Sequence, residues 1–184
     1  MLPENGDTPL MVLPPDEARR FLHLLEPNGK FTFQTIPDKK TALRGSALAH
    51  VFHGDPDEHL ETLVSLNRQG AGVFVMVNEG DGVVHPGIRT CRTVKNVIRV
   101  SSFFIDWDGS PLDPVLKAKV LPSIIVESSP AHWHAYWLVE DCPLAQFKPT
   151  QITLAEKFAG DPSVNDLCRV LRVLVQQHQG ALGA

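Results

Sequence analysis

The sequence predicts an α+β domain built on a mainly antiparallel sheet with flanking helices. Three observations lead there. Short apolar or alternating runs recur along the chain at strand length. Amphipathic helical stretches fall between them. The last two strand runs are joined by Ser128-Ser129-Pro130, a tight turn of the kind that links antiparallel neighbours.

Each element has its own signal. Asp16–Leu25 reads as a helix, with Phe21, Leu22, Leu24 and Leu25 on its apolar side. Phe31–Ile36 alternates as a strand does. Asp55-Pro56-Asp57-Glu58 is a helix start: an Asp cap, Pro at the first helical position and Glu three residues after the cap. That helix should run to about Gln69 and stop at Gly70. Gly72–Val77 is continuously apolar, as a buried strand is. Asn78–Pro86 is a Gly-rich turn region, and Val97–Asp106 is expected as one strand. Pro114–Val120 has room for a turn or two of helix. Ile124–Val126 and His132–Val139 are strands. Leu144–Phe158 is amphipathic, but Pro149 should delay its start or kink it. Residues 1–14 are expected to be loose, 15–172 to form the domain, and 173–184 to be a divergent or truncated tail.

Composition narrows the class. The 184 residues suit one domain with a real core, and 43% hydrophobic and 21% charged residues are ordinary for a globular protein. No apolar run would span a membrane and no signal peptide is visible, so a cytoplasmic setting without a membrane partner is expected. Cys91, Cys142 and Cys168 are scattered, which argues against a structural zinc site or a disulfide framework. The net charge of −4 gives no bulk attraction to nucleic acid. Basic residues nevertheless gather locally: Arg89, Arg92, Lys95 and Arg99 follow one another with no acid between Asp81 and Asp106, and Arg169 and Arg172 form a second group.

Chemistry concentrates in three places. In Phe103-Phe104-Ile105-Asp106-Trp107-Asp108-Gly109 a strand ends in two carboxylates two positions apart, which alternation puts on one face. They repel unless a cation lies between them, and hard divalent ions such as Mg2+ or Mn2+ take oxygen ligands. The plainer reading is a strand running out into a polar Asp-Gly turn. In His132-Trp133-His134 the two histidines share a strand face with Tyr136 and Leu138. Zinc wants a third nitrogen or sulfur ligand, which is not evident, whereas an imidazole can donate to a phosphate. In Gly160-Asp161-Pro162-Ser163-Val164-Asn165-Asp166, followed by Arg169 and Arg172, a further carboxylate could complete a metal site and the arginines could clamp phosphates. The alternatives are a local Asx turn at Asp161 and a surface ion pair between Asp166 and Arg169.

The order of these segments resembles the archaeo-eukaryotic primase superfamily, the primase-polymerases, on the branch of plasmid and phage replication proteins. Phe103–Gly109 is similar to its first motif, Glu127–Trp137 to its second with His134 as the motif histidine, and Gly160–Arg172 to its third. The likeness extends upstream through Phe31–Thr35, Asn67–Gly80 and Thr93–Val97. The chain departs from the pattern at His132, where Ser is common, at Ala131, where Gly is expected, and after Arg172, where a Leu-Pro-Gly turn usually follows. The resemblance implies a catalytic sheet shaped like an RNA-recognition fold. It implies template-directed joining of nucleoside triphosphates on DNA with two divalent metals, and often a helicase on the same or a neighbouring chain. It implies metal binding by Asp106, Asp108 and Asp161, with Asp166 as the other candidate. His134 and His132 would face the nucleotide, Arg169, Arg172 and Lys95 its phosphates, and Arg89, Arg92 and Arg99 the template. Two other readings stay open. One is a haloacid-dehalogenase-type phosphatase with Asp106 as nucleophile, Asp108 as acid/base and Ser110 as the hydroxyl residue. The other is a non-catalytic DNA-binding replication module.

Overall fold

A computed structural model describes residues 15–37, 45–108, 112–129 and 132–173. In chain order the elements are α1 (Pro15–Leu25), β1 (Phe31–Pro37), α2 (Gly45–Leu48), β2 (Val51–Gly54), α3 (Pro56–Arg68), β3 (Ala71–Met76), β4 (Glu79–Gly80), β5 (Val97–Arg99), β6 (Ser102–Asp108), α4 (Asp113–Leu116), β7 (Ile124–Ser129), β8 (His132–Leu138), α5 (Leu144–Lys157) and β9 (Val170–Arg172). The expected loose segment 1–14, Gly109 of the Asp-Gly turn, Ser110 and the tail after 173 lie outside the described residues.

The strands form a four-stranded sheet in the order β2-β1-β3-β9, a two-stranded ribbon β4-β5 and a three-stranded sheet β6-β8-β7. Every pairing among the described residues is antiparallel. The fold is therefore the expected α+β arrangement. It lacks the parallel βα repeats that the phosphatase reading requires.

One core joins the two larger sheets. Phe21 and Leu22 of α1, Leu60 and Leu63 of α3, and Phe33, Val73, Val75 and Leu171 of the four-stranded sheet pack with Phe104, Val126 and Tyr136 of the three-stranded one. The opposite face of β6-β8-β7 is covered too: Ile105, Trp107, Ala135 and Trp137 meet Val115 and Phe158. With both faces covered, β6 and β8 read as apolar runs rather than strict alternation.

Local signals explain most boundaries. Asp55 caps α3, its carboxylate accepting from the Asp57 N–H at 2.9 Å, and Pro56 opens the helix. The expected single strand over 97–106 is two strands in different sheets. At the break Val100 is wholly buried, the Ser101 N–H donates to Asn78 Oδ1, and the Val139 N–H donates to the Ser101 carbonyl. These bonds satisfy backbone groups that would otherwise hold the strand in one ladder. Pro149 does not delay α5, which starts at Leu144 and contains it. A proline there forfeits a helical bond, and burial of Phe147, Gln151 and Ala155 offsets the loss. The short strands β2 and β9 had no sequence signal of their own; both form by pairing with longer strands, β1 and β3. No helix among the described residues is long and apolar enough to cross a membrane.

Candidate active site

The site grows out of the core by one step of the strand pleat. On β6 and β8 the rung Phe104–Tyr136 is fully buried, and the next rung on the same face is Asp106–His134. Directly opposite residues on antiparallel strands share a face, so the apolar row of the core continues into a carboxylate and an imidazole. His134 Nε2 lies 3.4 Å from Asp106 Oδ1. The carboxylate side chain is 33% exposed and the imidazole only 4%. The following rung pairs the backbones of Asp108 and His132; the Asp108 side chain lies outside the described residues.

Tyr136 sits beneath the imidazole. Its hydroxyl is 3.3 Å from His134 Nδ1, and the two rings meet edge to face. Burial, and then the charge of Asp106, push the phenol far above its ordinary pKa, so it stays neutral and keeps its proton. A neutral hydroxyl can donate to Nδ1, which leaves the ring proton on Nε2, facing the carboxylate. Both ring nitrogens are thus engaged inside the fold. The sequence placed Tyr136 on the face of His134 but assigned it no task; its position two residues along the same strand is the signal.

The DxD strand is anchored along its outer edge by α5. Gln151 forms a two-way bond with it: the Phe104 N–H donates to Gln151 Oε1 at 3.2 Å, and Gln151 Nε2 donates back to the Phe104 carbonyl. The same amide reaches the Val164 carbonyl, tying β6 to the loop of the third motif. Trp107 Nε1 donates to the Phe158 carbonyl at 2.8 Å. Gly160 lies against Ile105 so closely that a Cβ there would collide with the Ile105 side chain.

Asp161 therefore follows a residue in contact with the DxD strand, yet its carboxylate serves its own loop. It accepts from the Ser163 N–H and the Ser163 hydroxyl, each at 2.8 Å. The N–H first, then the hydroxyl, hold the carboxyl below its usual range. Asp166 pairs with Arg169 at 2.8 Å, and Arg169 also donates to the Ser163 carbonyl. Among the described residues no three His, Cys, Asp or Glu side chains converge as a metal-binding group.

The basic residues separate. Arg99 bridges Glu26 and Glu79, donating to both carboxylates. The groove beside it, about 990 Å³, is also lined by Asp81 and Glu140 and does not include Asp106 or His134. Its acids make it a poor place for a phosphate. Arg92 donates to the Cys168 carbonyl at 3.3 Å, which links the basic loop to the third motif. Arg89 and Lys95 are exposed. Arg172 lies over the Phe74 ring, 4.9 Å from its centroid.

Asp106 suits a hard divalent cation. Its one contact at 3.4 Å is longer than a good hydrogen bond, so the oxygens keep lone pairs to offer, and they are partly open to solvent.

Residues 101–173 match the family described as the RepB DNA-primase N-terminal domain. That match spans less than half of the chain, and the fold is the one seen in solved primase domains. Its primase fold is shared with the archaeo-eukaryotic primase domain of the cyanophage S-2L primase-polymerase: TM-score 0.62, 16% identity, 91% of this chain and 85% of the other. The catalytic domain of the primase RepB′, solved in complex with initiator DNA, aligns with a TM-score of 0.56 at 17% identity, covering 86% of this chain and 75% of that one. A longer RepB′ chain aligns with a TM-score of 0.57 at 18% identity, covering 86% of this chain and 49% of that one. No curated protein matches the sequence.

Proposed function

We propose that this chain is the catalytic domain of a primase-polymerase, a nucleotidyltransferase that makes or extends primers on a DNA template in the replication of a plasmid, phage or other mobile element. The observation that carries this reading is the Asp106–His134 rung. Two motifs distant in sequence meet there on adjacent strands, at the partly open end of a dry core, in a primase fold. DNA as a partner is supported by the RepB′ relative, which was solved with initiator DNA.

In the reaction the primer 3′ oxygen bonds to the α-phosphorus of the incoming nucleotide and pyrophosphate leaves. Catalysis here is positioning and charge neutralisation more than covalent chemistry. Asp106 and Asp108 would hold Mg2+ or Mn2+, with Asp161 or Asp166 as further ligand once its loop turns inward; the ion neutralises phosphate charge when bound. His134 presents its Nε2 proton toward Asp106 and keeps that carboxylate oriented. Moving off Asp106, the same N–H is a donor for a phosphate oxygen, with His132 beside it. Arg169, Arg172 and Lys95 would grip the triphosphate, and Arg89 and Arg92 the template. Arg99, already neutralised by two glutamates, would stabilise the fold instead.

The test is template-dependent incorporation with Mg2+ or Mn2+ supplied. Wild type should give labelled product, and Asp106→Asn combined with Asp108→Asn should give none. Product from the double variant would overturn the carboxylate assignment. DNA binding by wild type without incorporation under either metal would leave a non-catalytic binding module.

A further inference from the structure

On the four-stranded sheet Val73, Val75 and Leu171 face the core. Alternation therefore places Gly72, Phe74 and Arg172 on the opposite face. Phe74 and Arg172 are direct partners across β3 and β9, and Gln34 of β1 is the partner of Phe74 on its other side. Across this rung the guanidinium carbon of Arg172 lies over the Phe74 ring, 4.9 Å from its centroid. The side chain reaches along the sheet to Gly72: a Cβ there would lie 3.0 Å from Arg172 Nη2, 3.2 Å from its Cζ and 2.9 Å from Phe74 Cε2. A Cβ there would push the ends of both side chains aside by a few tenths of an ångström.

Other arginines of this fold are spent on protein groups. Arg99 holds two glutamates, Arg169 holds Asp166, and Arg19 holds Asp57. Arg172 has no carboxylate partner among the described residues, so its N–H donors stay available while its guanidinium rests over the Phe74 ring. On the same rung Gln34 Oε1 is buried and lacks a hydrogen-bond partner among the described residues. A guanidinium without a carboxylate partner, on the same sheet rung as an unmet acceptor, suits a ligand carrying both phosphate and hydroxyl or N–H groups.

We infer that Gly72 and Phe74 are positioning residues that preset Arg172 as a phosphate clamp. The inference rests on the reading that this domain handles nucleotides. The phosphate could belong to a free nucleoside triphosphate or to the backbone of a single strand, and the two are separated by binding each alone.

Binding of a deoxynucleoside triphosphate, and separately of an oligodeoxythymidylate, is measured without turnover for wild type, Phe74→Leu, Arg172→Ala and the double variant. Phe74→Leu should weaken binding about two- to five-fold, the span of an exposed cation–π contact. It should do nothing further once Arg172 is Ala. That coupling in the nucleotide arm makes the clamp a triphosphate site; in the oligonucleotide arm it makes it a strand contact. Phe74→Trp, which keeps an aromatic face, should bind at least as tightly as wild type, and it decides the matter if Phe74→Leu fails to fold. Equal losses from Phe74→Leu with and without Arg172, no loss in either arm, or weakened binding by folded Phe74→Trp would overturn the inference. Failure of nucleotide incorporation would bear on the catalytic reading alone, since no arm requires turnover.

Discussion

Tyr136 is the sole tyrosine of the chain, which makes the floor of the site directly observable. It is wholly buried against Phe21 and His134. Its ionisation is opposed by loss of solvent and by the charge of Asp106. In the unfolded chain the phenol titrates near its ordinary 10.0; in the folded chain it does not. A folded pKa raised above the unfolded one gives stability that is complete below pH 10 and is lost as pH rises above it. The loss grows as RT ln(1 + 10^(pH − 10)), about 1 kcal/mol at pH 11 and about 3 kcal/mol at pH 12. That is a large part of a typical stability of about 5–15 kcal/mol. Phenolate absorbance near 295 nm, followed with far-ultraviolet circular dichroism, reads one residue. Absorbance should stay flat through pH 10 and appear only as the fold is lost. Urea unfolding at pH 7 and pH 11 should show wild type losing about 1 kcal/mol more than Tyr136→Phe, since other alkaline groups are common to both. A phenolate signal with a midpoint near pH 10 in protein whose dichroism is unchanged would refute the argument. The floor of the site would then be wet, and Tyr136 could not set the imidazole proton.

Other outcomes follow from the same geometry. At pH 7 Tyr136→Phe should cost about 1–3 kcal/mol by leaving His134 Nδ1 buried without a partner, measured by urea unfolding. Gln151→Leu should destabilise by about 1–3 kcal/mol for each Phe104 backbone group it orphans, and should lower incorporation more than DNA binding, because it loosens the DxD strand. Arg99→Met should lower stability by about 1–3 kcal/mol, leaving Glu26 and Glu79 facing each other, while DNA affinity stays within two-fold of wild type by anisotropy. Arg89→Ala should weaken DNA binding and reduce the slope of log affinity against log salt by about 1.

The DxD strand, the HxH strand and the capped α3 were legible because each is a local pattern. Alternation alone put Asp106 with Asp108 and His134 with Tyr136, and two-residue periodicity survives any tertiary context. Partnership was not legible. Arg99 reads in sequence as one more cation in a basic run, and only the approach of the α1–β1 turn and β4 turns it into a bridge. Gln151 reads as a polar residue on a helix, and only the docking of α5 on the edge of β6 makes it a backbone mimic.

Sequence by itself determined which chemistry is present: carboxylates at a strand end, an imidazole on a second strand, arginines after a third acidic loop. The tertiary structure decided which of these groups meet. Ladder register set Asp106 against His134, whereas the Asx-type loop turned Asp161 toward Ser163. The physical reason is range. Strand periodicity is enforced by each residue's neighbours along the chain, but the pairing of charges depends on the free energy of burying a whole core, which no short segment carries alone.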